Sequence, residues 1–472
     1  MRPHVIVLGA GPAGLGAAYR LSHLGRARVT VIEQQACVGG SAGSFEVEGM
    51  RVDYGSHRLH PACDPAILDD LRSLLGGDLL LRPRHGRIRL GKRWIHFPLK
   101  FSDLALQLPP SFVWGVARDL AARPFSRPAR SEVTFATVLE QNLGSTMCRW
   151  FYLPYARKIW GVEPDELSPE QARRRVSVGS PAALVRRVMR SVPGFKPRGV
   201  GTYYYPRRGY GQISECLAAG VQATGGNIIL GARVSAVESN GRRVTAVRVT
   251  SGDDERTIEA SHVWSTLPVT ALVQCLRPAA PPPVERAARA MRFRGMILIY
   301  LVLEQDRFTE YDAHYFPGSD TPLTRLSEPK NYSMTAKPDG LTVLCAEVPA
   351  DPGSAEWQAD DASLGQALCG WLEAAGLPVR SPVRRVATRR LRQAYPLYLR
   401  GYEGHLAEIE RWLGSIEGLL TFGRQGLFAH DNLHHALRMG YAAAACLNER
   451  GSFDHEQWSR WREVFQTHVV ED

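Results

Sequence analysis

The chain opens on an apolar run, His4-Val5-Ile6-Val7-Leu8, closed by glycine. That is the pattern of a strand buried on both faces of a parallel sheet. Gly9-Ala10-Gly11-Pro12-Ala13-Gly14 follows and leads into an Ala/Leu-rich stretch, Leu15 to Leu24, ended by Gly25. Proline near the first turn and glycine past the last match the polarity of a helix. Arg28-Val29-Thr30-Val31-Ile32 predicts a second strand, finishing in Glu33, so the first segment is a βαβ unit. From about Gly76 to Pro206 the pattern shifts to Arg, Trp and Pro with helical periodicity, as in Ala136 to Leu143. After Gly225-Gly226-Asn227 alternation takes over. Ile228 to Leu230, Val234 to Val237 and Val244 to Val249 read as strands, with Ser251-Gly252 as a hairpin turn. Ser261 to Trp264 is a strand entering the turn Ser265-Thr266-Leu267-Pro268. Met296 to Leu303 and Leu341 to Val348 add two more, around a loop at Pro317-Gly318. Gly418 to Gly423 looks like a buried strand, and Asp431-Asn432 can cap a helix from Leu433 to Leu447.

Composition narrows the class. The 472 residues are 44 % hydrophobic and 22 % charged, which excludes disordered, collagen-like and coiled-coil chains. Lys+Arg 58 against Asp+Glu 47 gives a net charge of +11, spread along the chain without a run that suggests a nucleic-acid arm. The excess suits an anionic substrate or an anionic membrane surface, so peripheral membrane contact stays open. Eight scattered cysteines form no C-x-x-C pair, so a disulfide scaffold and a zinc module are not expected, and no metal is. No apolar stretch reaches the roughly 18 residues of a spanning helix. A soluble, cytoplasmic protein is the expectation, its oligomeric state unread.

The glycines carry the first chemistry. Gly9 permits the tight turn, Gly11 lets backbone approach a pyrophosphate, and Gly14 allows close helix–strand packing, with Pro12 and Ala13 opening the helix. The helix N-terminus adds unpaired N–H groups and positive dipole for that phosphate. Glu33, at the end of the second strand, can accept from both ribose hydroxyls and disfavours a 2′-phosphate. Cys37-Val38-Gly39-Gly40-Ser41 sets a glycine pair in the next loop, which suits a cofactor longer than its adenosine half.

Fingerprint, Glu33, Gly39-Gly40 and Asp53-Tyr54-Gly55-Ser56-His57 together resemble the FAD-binding start of the amine oxidase/protoporphyrinogen oxidase superfamily. Later segments resemble its UDP-galactopyranose mutase-like branch. They are Arg84 to Ile88, Gly91 to Lys100, Tyr155 to Gly161, Tyr205-Pro206 with Gly209-Tyr210, Ala394-Tyr395-Pro396, and Gly423 to Leu427 with Asp431-Asn432. The resemblance implies an α/β fold: a discontinuous Rossmann-type FAD-binding domain (1–75, 206–275, 395–472) with an interleaved α+β substrate-binding domain (76–205, 276–394). It implies FAD, held non-covalently because no cysteine lies in the closing motif. Cofactor contacts are expected from Gly9, Gly11, Pro12, Ala13, Gly14, Glu33, Gly39, Gly40, Ser41, Gly55, Ser56, His57 and Val234. The closing motif adds Gly423, Arg424, Asp431, Asn432 and Leu433. N–H groups of the closing helix would stabilise the anion that develops on a reduced flavin.

Arg424 stands where amine-oxidising relatives often carry an acid, which favours the mutase-like branch. His57, Arg87 and Tyr210 are the catalytic candidates. Arg87, Arg157 and Lys158 are expected to line a cleft and clamp a diphosphate or carboxylate; most of the other Arg-rich stretches, Arg173-Arg174-Arg175 and Arg186 to Arg198 included, are expected on a solvated face. Tyr203, Tyr204, Tyr205 and Tyr210 either wall the cofactor cleft or fill core. His430, His434 and His435 are expected on a solvated face. Leu104 to Ala122 reads as a helix pair broken at Pro109-Pro110, with a membrane-facing patch as the alternative. Three functions compete: an oxidoreductase passing hydride from a small organic substrate to flavin N5, a non-redox nucleotide-sugar mutase, and a protein that merely retains FAD. The first ranks highest.

Overall fold

A computed structural model describes residues 2–98, 103, 107–122, 133–175, 201–335 and 337–470. Its first sheet grows from the βαβ unit. His4–Leu8 is central, with Arg28–Ile32 parallel on one side and His262–Ser265 parallel on the other. Asn227–Ile229 extends one edge and Leu419–Thr421 the other, so five parallel strands come from three distant parts of the chain. Every residue of His4–Leu8 is buried, as its unbroken apolar pattern requires. The helix Pro12–His23 packs against Gln212–Ala223 and the closing helix Leu433–Cys446. Gly440 permits that last contact, because a Cβ there would lie 2.4 Å from the Ala13 carbonyl.

A second sheet orders Asp254–Glu259, Val244–Ser251, Arg233–Ser239 and Leu276–Arg277. Its hairpin turns at Gly252, where φ is +62°. The third sheet has seven strands in the order Val383–Leu397, Arg292–Leu303, Thr342–Ala350, Arg325–Ser327, Ala313–Tyr315, Gly86–Leu90 and Arg93–Phe97. One face takes the hairpin Ser44–Val47/Met50–Asp53 through Val47, Met50 and Val52. The other takes the helix Asp361–Ala374 through Leu364, Leu368 and Leu372.

Two expectations change here. The helical stretch expected from Gly76 instead carries strands at Leu79–Pro83, Gly86–Leu90 and Arg93–Phe97, and the helix Pro110–Ala122 follows them. In Gly86–Leu90 arginine and apolar residues alternate with a period of two, a strand pattern that the high Arg content obscures, and Arg93–Phe97 pairs with it as the second arm of a hairpin. The solvated face expected for His430, His434 and His435 is wrong: all three are buried, the most exposed at 9 %. The closing helix lies between Pro12–His23 and His455–Gln466, and His430 and His435 lie against the Trp160 and His468 rings.

Among the described residues no helix is long and apolar enough to cross a membrane. Val113, Trp114 and Leu120 are exposed on Pro110–Ala122. Leu104 to Leu106, like Arg186 to Arg198, lie outside the described residues.

Candidate functional site

In the parallel sheet the chain continues on opposite sides of His4–Leu8, and the loops leaving the carboxyl ends of its strands converge there. This is the switch point at which open α/β sheets bind ligands. Gly9, with φ +98°, turns the chain beneath Thr266, whose Oγ1 would stand 2.5 Å from any Cβ added at that glycine. Gly14 sits tighter still, its Cβ position 2.1 Å from the Gly9 carbonyl. Gly11 differs: nothing lies within 4 Å of a Cβ there. Gly40, with φ +53°, faces it across the gap, its Cβ position 3.4 Å from the Gly11 Cα. The first turn of Pro12–His23 therefore opens onto a cleft walled by glycine backbone, with no side-chain cap and no acid competing for its N–H groups. That is an anion site by construction.

Glu33 stands at the far end, buried, with Oε2 accepting from the Ala10 N–H (2.9 Å) and Oε1 from the Gln35 N–H (2.9 Å). Each oxygen keeps a second acceptor site for a ribose hydroxyl. Ser41 is exposed just past Gly40. Gly423 closes the cleft from the other side, its Cβ position 2.8 Å from Ala13 Cβ. Asn432 is the N-cap of the closing helix; its N–H donates to His435 Nδ1 (3.3 Å), and Leu433 follows as the first helical residue. Asp431 turns away to His435 and His468. Val234 pairs with Val249 in the second sheet. A flavin dinucleotide fits this residue set: an open anion turn, a ribose acceptor and a second helix N-terminus.

Beyond the glycine cleft, side chains take over. Asp53 ends its hairpin strand inside the protein. Its Oδ1 accepts from Ser44 Oγ (2.6 Å) and the Tyr210 N–H (2.9 Å), and its Oδ2 from Tyr205 OH (2.6 Å). Burial, partly offset by the Ser44 and Tyr205 hydroxyls, holds this carboxyl above its usual range. His57 donates from Nε2 to the Tyr54 carbonyl (2.9 Å), which leaves Nδ1 as the acceptor of a neutral ring. Burial keeps it neutral against the pull of Asp53. Its ring stacks on Tyr210 at 5.3 Å.

The turn is anchored below by Glu347, which accepts from the Ser56 N–H (2.8 Å) and takes Arg325 bidentately (2.9 and 2.9 Å). Gly55 is obligatory there, with φ +98° and a Cβ position 3.1 Å from Glu347 Oε1. Arg58 donates to Tyr315 OH (2.8 Å) and Tyr332 OH (3.0 Å) and lies over the Tyr203 ring. Tyr203 and Tyr205 are core, and each hydroxyl is spent on a carboxylate, Asp312 and Asp53.

A further cluster surrounds Tyr395, at the end of the long strand Val383–Leu397. Arg175 and Arg424 both lie over its ring, at 5.2 and 5.3 Å, and Arg175 also covers Trp160. His430 meets Trp160, Tyr395 and Tyr398. Burial and the neighbouring arginines push its ring well below the usual histidine range, so it is neutral. Burial likewise lowers Arg424, against the attraction of Tyr395, and Arg175 lowers it further. Neither arginine has a carboxylate within ion-pair distance among the described residues. Two unneutralised cations beside an aromatic wall make a second anion-receptive place.

The predicted clamp is not what forms. Arg87 is held between Trp94 (4.3 Å) and Tyr311 (4.6 Å). Arg157 is half exposed and paired with Glu163 (2.8 Å), on the solvated face of its helix. Lys158 is half-buried and donates to the carbonyls of Phe316 (2.7 Å) and Leu323 (2.9 Å), its amine lowered to about 8 by desolvation. Arg58, Arg325 and Glu347 carry no local mark in the sequence, and Arg175, expected on a solvated face with its Arg-rich stretch, instead covers Trp160 and Tyr395; Trp160, Tyr395 and Arg424 stood inside the segments that carry the resemblance.

The sequence profile of the flavin containing amine oxidoreductases matches residues 12–420. The chain belongs to that family. This amine oxidoreductase-family chain is 27 % identical over 315 residues to a phytoene dehydrogenase of Streptomyces griseus, an alignment spanning 61 % of the chain and 59 % of that relative. Its fold is that of a reduced UDP-galactopyranose mutase (TM-score 0.80, 21 % identity, 94 % and 93 % of the two chains covered). A protein from Exiguobacterium sp. 255-15 assigned as a protoporphyrinogen oxidase superposes with TM-score 0.69 (17 % identity, 94 % and 98 % covered). Putrescine oxidase bound to putrescine does so with TM-score 0.62 (19 % identity, 94 % and 98 % covered). The family is one of flavin-containing oxidoreductases.

Proposed function

We propose that the protein is an FAD-dependent oxidoreductase that takes a hydride from a small, anionic organic substrate. The observation that carries this reading is the glycine-walled cleft in front of Pro12–His23, with Glu33 at one end and the closing helix at the other. Bound non-covalently, FAD supplies the two-electron acceptor at N5, and dioxygen or another acceptor reoxidises it. Residues 1–75, 206–275 and 395–472 are taken as the part that holds it. The N–H groups of Pro12–His23 bind the pyrophosphate, Glu33 accepts from the ribose, and the N-terminus of the closing helix favours negative charge near Asn432.

His57 keeps a lone pair on Nδ1, so it accepts a proton or a hydrogen bond and does not repel a cationic group. Tyr210 holds that ring by stacking. Arg175 and Arg424 orient an anionic substrate against Tyr395 and Trp160, and Arg87 stays a wall residue. The same arginine pair favours one alternative, a non-redox nucleotide-sugar mutase whose displaced diphosphate they would hold.

Anaerobic mixing of the yellow protein with candidate donors separates the two. The expected result is bleaching of the flavin band near about 450 nm by an anionic donor. Turnover that requires pre-reduced flavin and consumes no reductant would point to the mutase. A polypeptide that takes up no flavin would falsify both.

A further inference from the structure

We infer that Asp431, His435 and His468 form a site for one divalent transition cation of the zinc class. Each residue offers a ligand atom, and the three atoms lie within 4.8 Å of one another. His468 Nδ1 is 3.0 Å from Asp431 Oδ1, and His435 Nδ1 is 3.2 Å from the same oxygen. Ligand atoms around a tetrahedral ion with bonds of about 2.0–2.1 Å stand about 3.3 Å apart, close to both separations from Asp431 Oδ1. The two imidazoles are stacked 4.1 Å apart and within 14° of parallel, so one ring turns about its Cβ–Cγ bond before both lone pairs meet at one ion.

That carboxylate is poorly served without an ion. Its side chain is wholly inaccessible, and Oδ2 has no hydrogen-bond partner. A buried carboxylate oxygen without a donor is costly, and a cation removes the cost. Two imidazoles with one carboxylate select zinc, cobalt, nickel or iron(II) over magnesium and calcium. Ligation through Nδ1 places each ring proton on Nε2. It also displaces the long contact from the Asn432 N–H to His435 Nδ1 (3.3 Å). A water completes the fourth position.

The three ligands belong to different elements: the loop after Gly423–Gly426, the first turn of the closing helix, and the tail beyond His455–Gln466. An ion would cross-link a loop of 37 residues and stiffen the closing loop from behind. This inference is independent of the substrate and stands on the cluster alone.

The test is equilibrium dialysis of tag-free, chelator-stripped holoprotein against Zn2+, with the metal quantified per chain. About one zinc per chain is expected, with a rise in melting temperature on loading. His468→Ala should weaken binding by at least roughly a hundredfold, whereas His468→Asp, which keeps an oxygen ligand, should still hold the ion. X-ray absorption at the zinc edge of the unaltered protein should show two histidine nitrogens and oxygen near about 2.0–2.1 Å. Zinc binding unchanged in His468→Ala, no stoichiometric binding, or a spectrum without histidine scattering each overturns the proposal. Should His468→Ala fail to fold, the absorption spectrum alone decides.

Discussion

The two halves of the candidate site are made in opposite ways. The cleft from Gly9 to Gly40 is backbone: what matters at Gly9, Gly11, Gly14 and Gly40 is the absence of side chains. The chamber around His57, Arg58 and Tyr395 is all side chain, drawn from positions 53–58, 160–175, 203–210, 325–347 and 395–430. A backbone site needs a few consecutive residues with forced dihedrals, so it is local and repeats between proteins. A side-chain chamber needs distant residues held by second partners, so it varies while the frame persists. The likeness to mutase and oxidase folds alike is what that division produces.

Substitutions can break the contrast. The largest effect is expected from Glu347→Ala, which strips Arg325 of its bidentate partner and leaves a buried cation; about 3–5 kcal/mol should be lost in chemical denaturation. Stability within about 1 kcal/mol of the parent would mean the chamber is not held by that pair.

Next come two glycines of one turn. Gly14→Ala drives a Cβ against the Gly9 carbonyl and should cost about 1–3 kcal/mol or more, with poor yield of coloured protein. Gly11→Val meets open space, so the melting temperature of the flavin-free protein should hold while flavin affinity drops by about tenfold or more. Equal stability losses in both would show that the cleft is packed, not open.

A pH series is the third lever. Burial lowers the His314 imidazole to about 3, so its neutral form is built into the fold. Its contribution is complete above the unfolded value of about 6.5 and shrinks as pH falls towards the folded one. Between pH 6.5 and 5 the parent should lose about 2 kcal/mol more than His314→Phe, which keeps the ring beside Trp94 but cannot titrate. Parallel stability curves for the two would contradict the lowered value.

The smallest effect is expected from Arg157→Ala. It removes an exposed pair with Glu163 and should change stability by less than about 1 kcal/mol and flavin uptake not at all. A large loss of turnover would restore Arg157 to the cleft.

Much of the parallel sheet was legible beforehand, since unbroken apolar runs bounded by glycine have few other uses. His4–Leu8, Arg28–Ile32, His262–Ser265 and Leu419–Thr421 all lie where the pattern put them. The hairpin Gly86–Leu90/Arg93–Phe97 was lost because its alternation is written in arginine and tryptophan, whose long stems half-bury on a sheet. Arg157 and Lys158 looked alike in the chain, yet one faces water and the other is locked on two carbonyls. Consecutive residues on a helix point about 100° apart, and only the neighbours settle which direction is inside.

By itself the sequence determined the glycine turn at Gly9–Gly14, the acid at Glu33, the glycine pair and the capped closing helix. Each is a short-range demand of dihedral angle or hydrogen bonding that adjacent residues satisfy. Only the tertiary structure decided that Arg175 and Arg424 meet over Tyr395, that Glu347 seats the turn before His57, and that three histidines of the closing segment are buried. Those contacts join residues far apart in the chain, and their energies depend on burial that appears once the sheets and helices have closed over them.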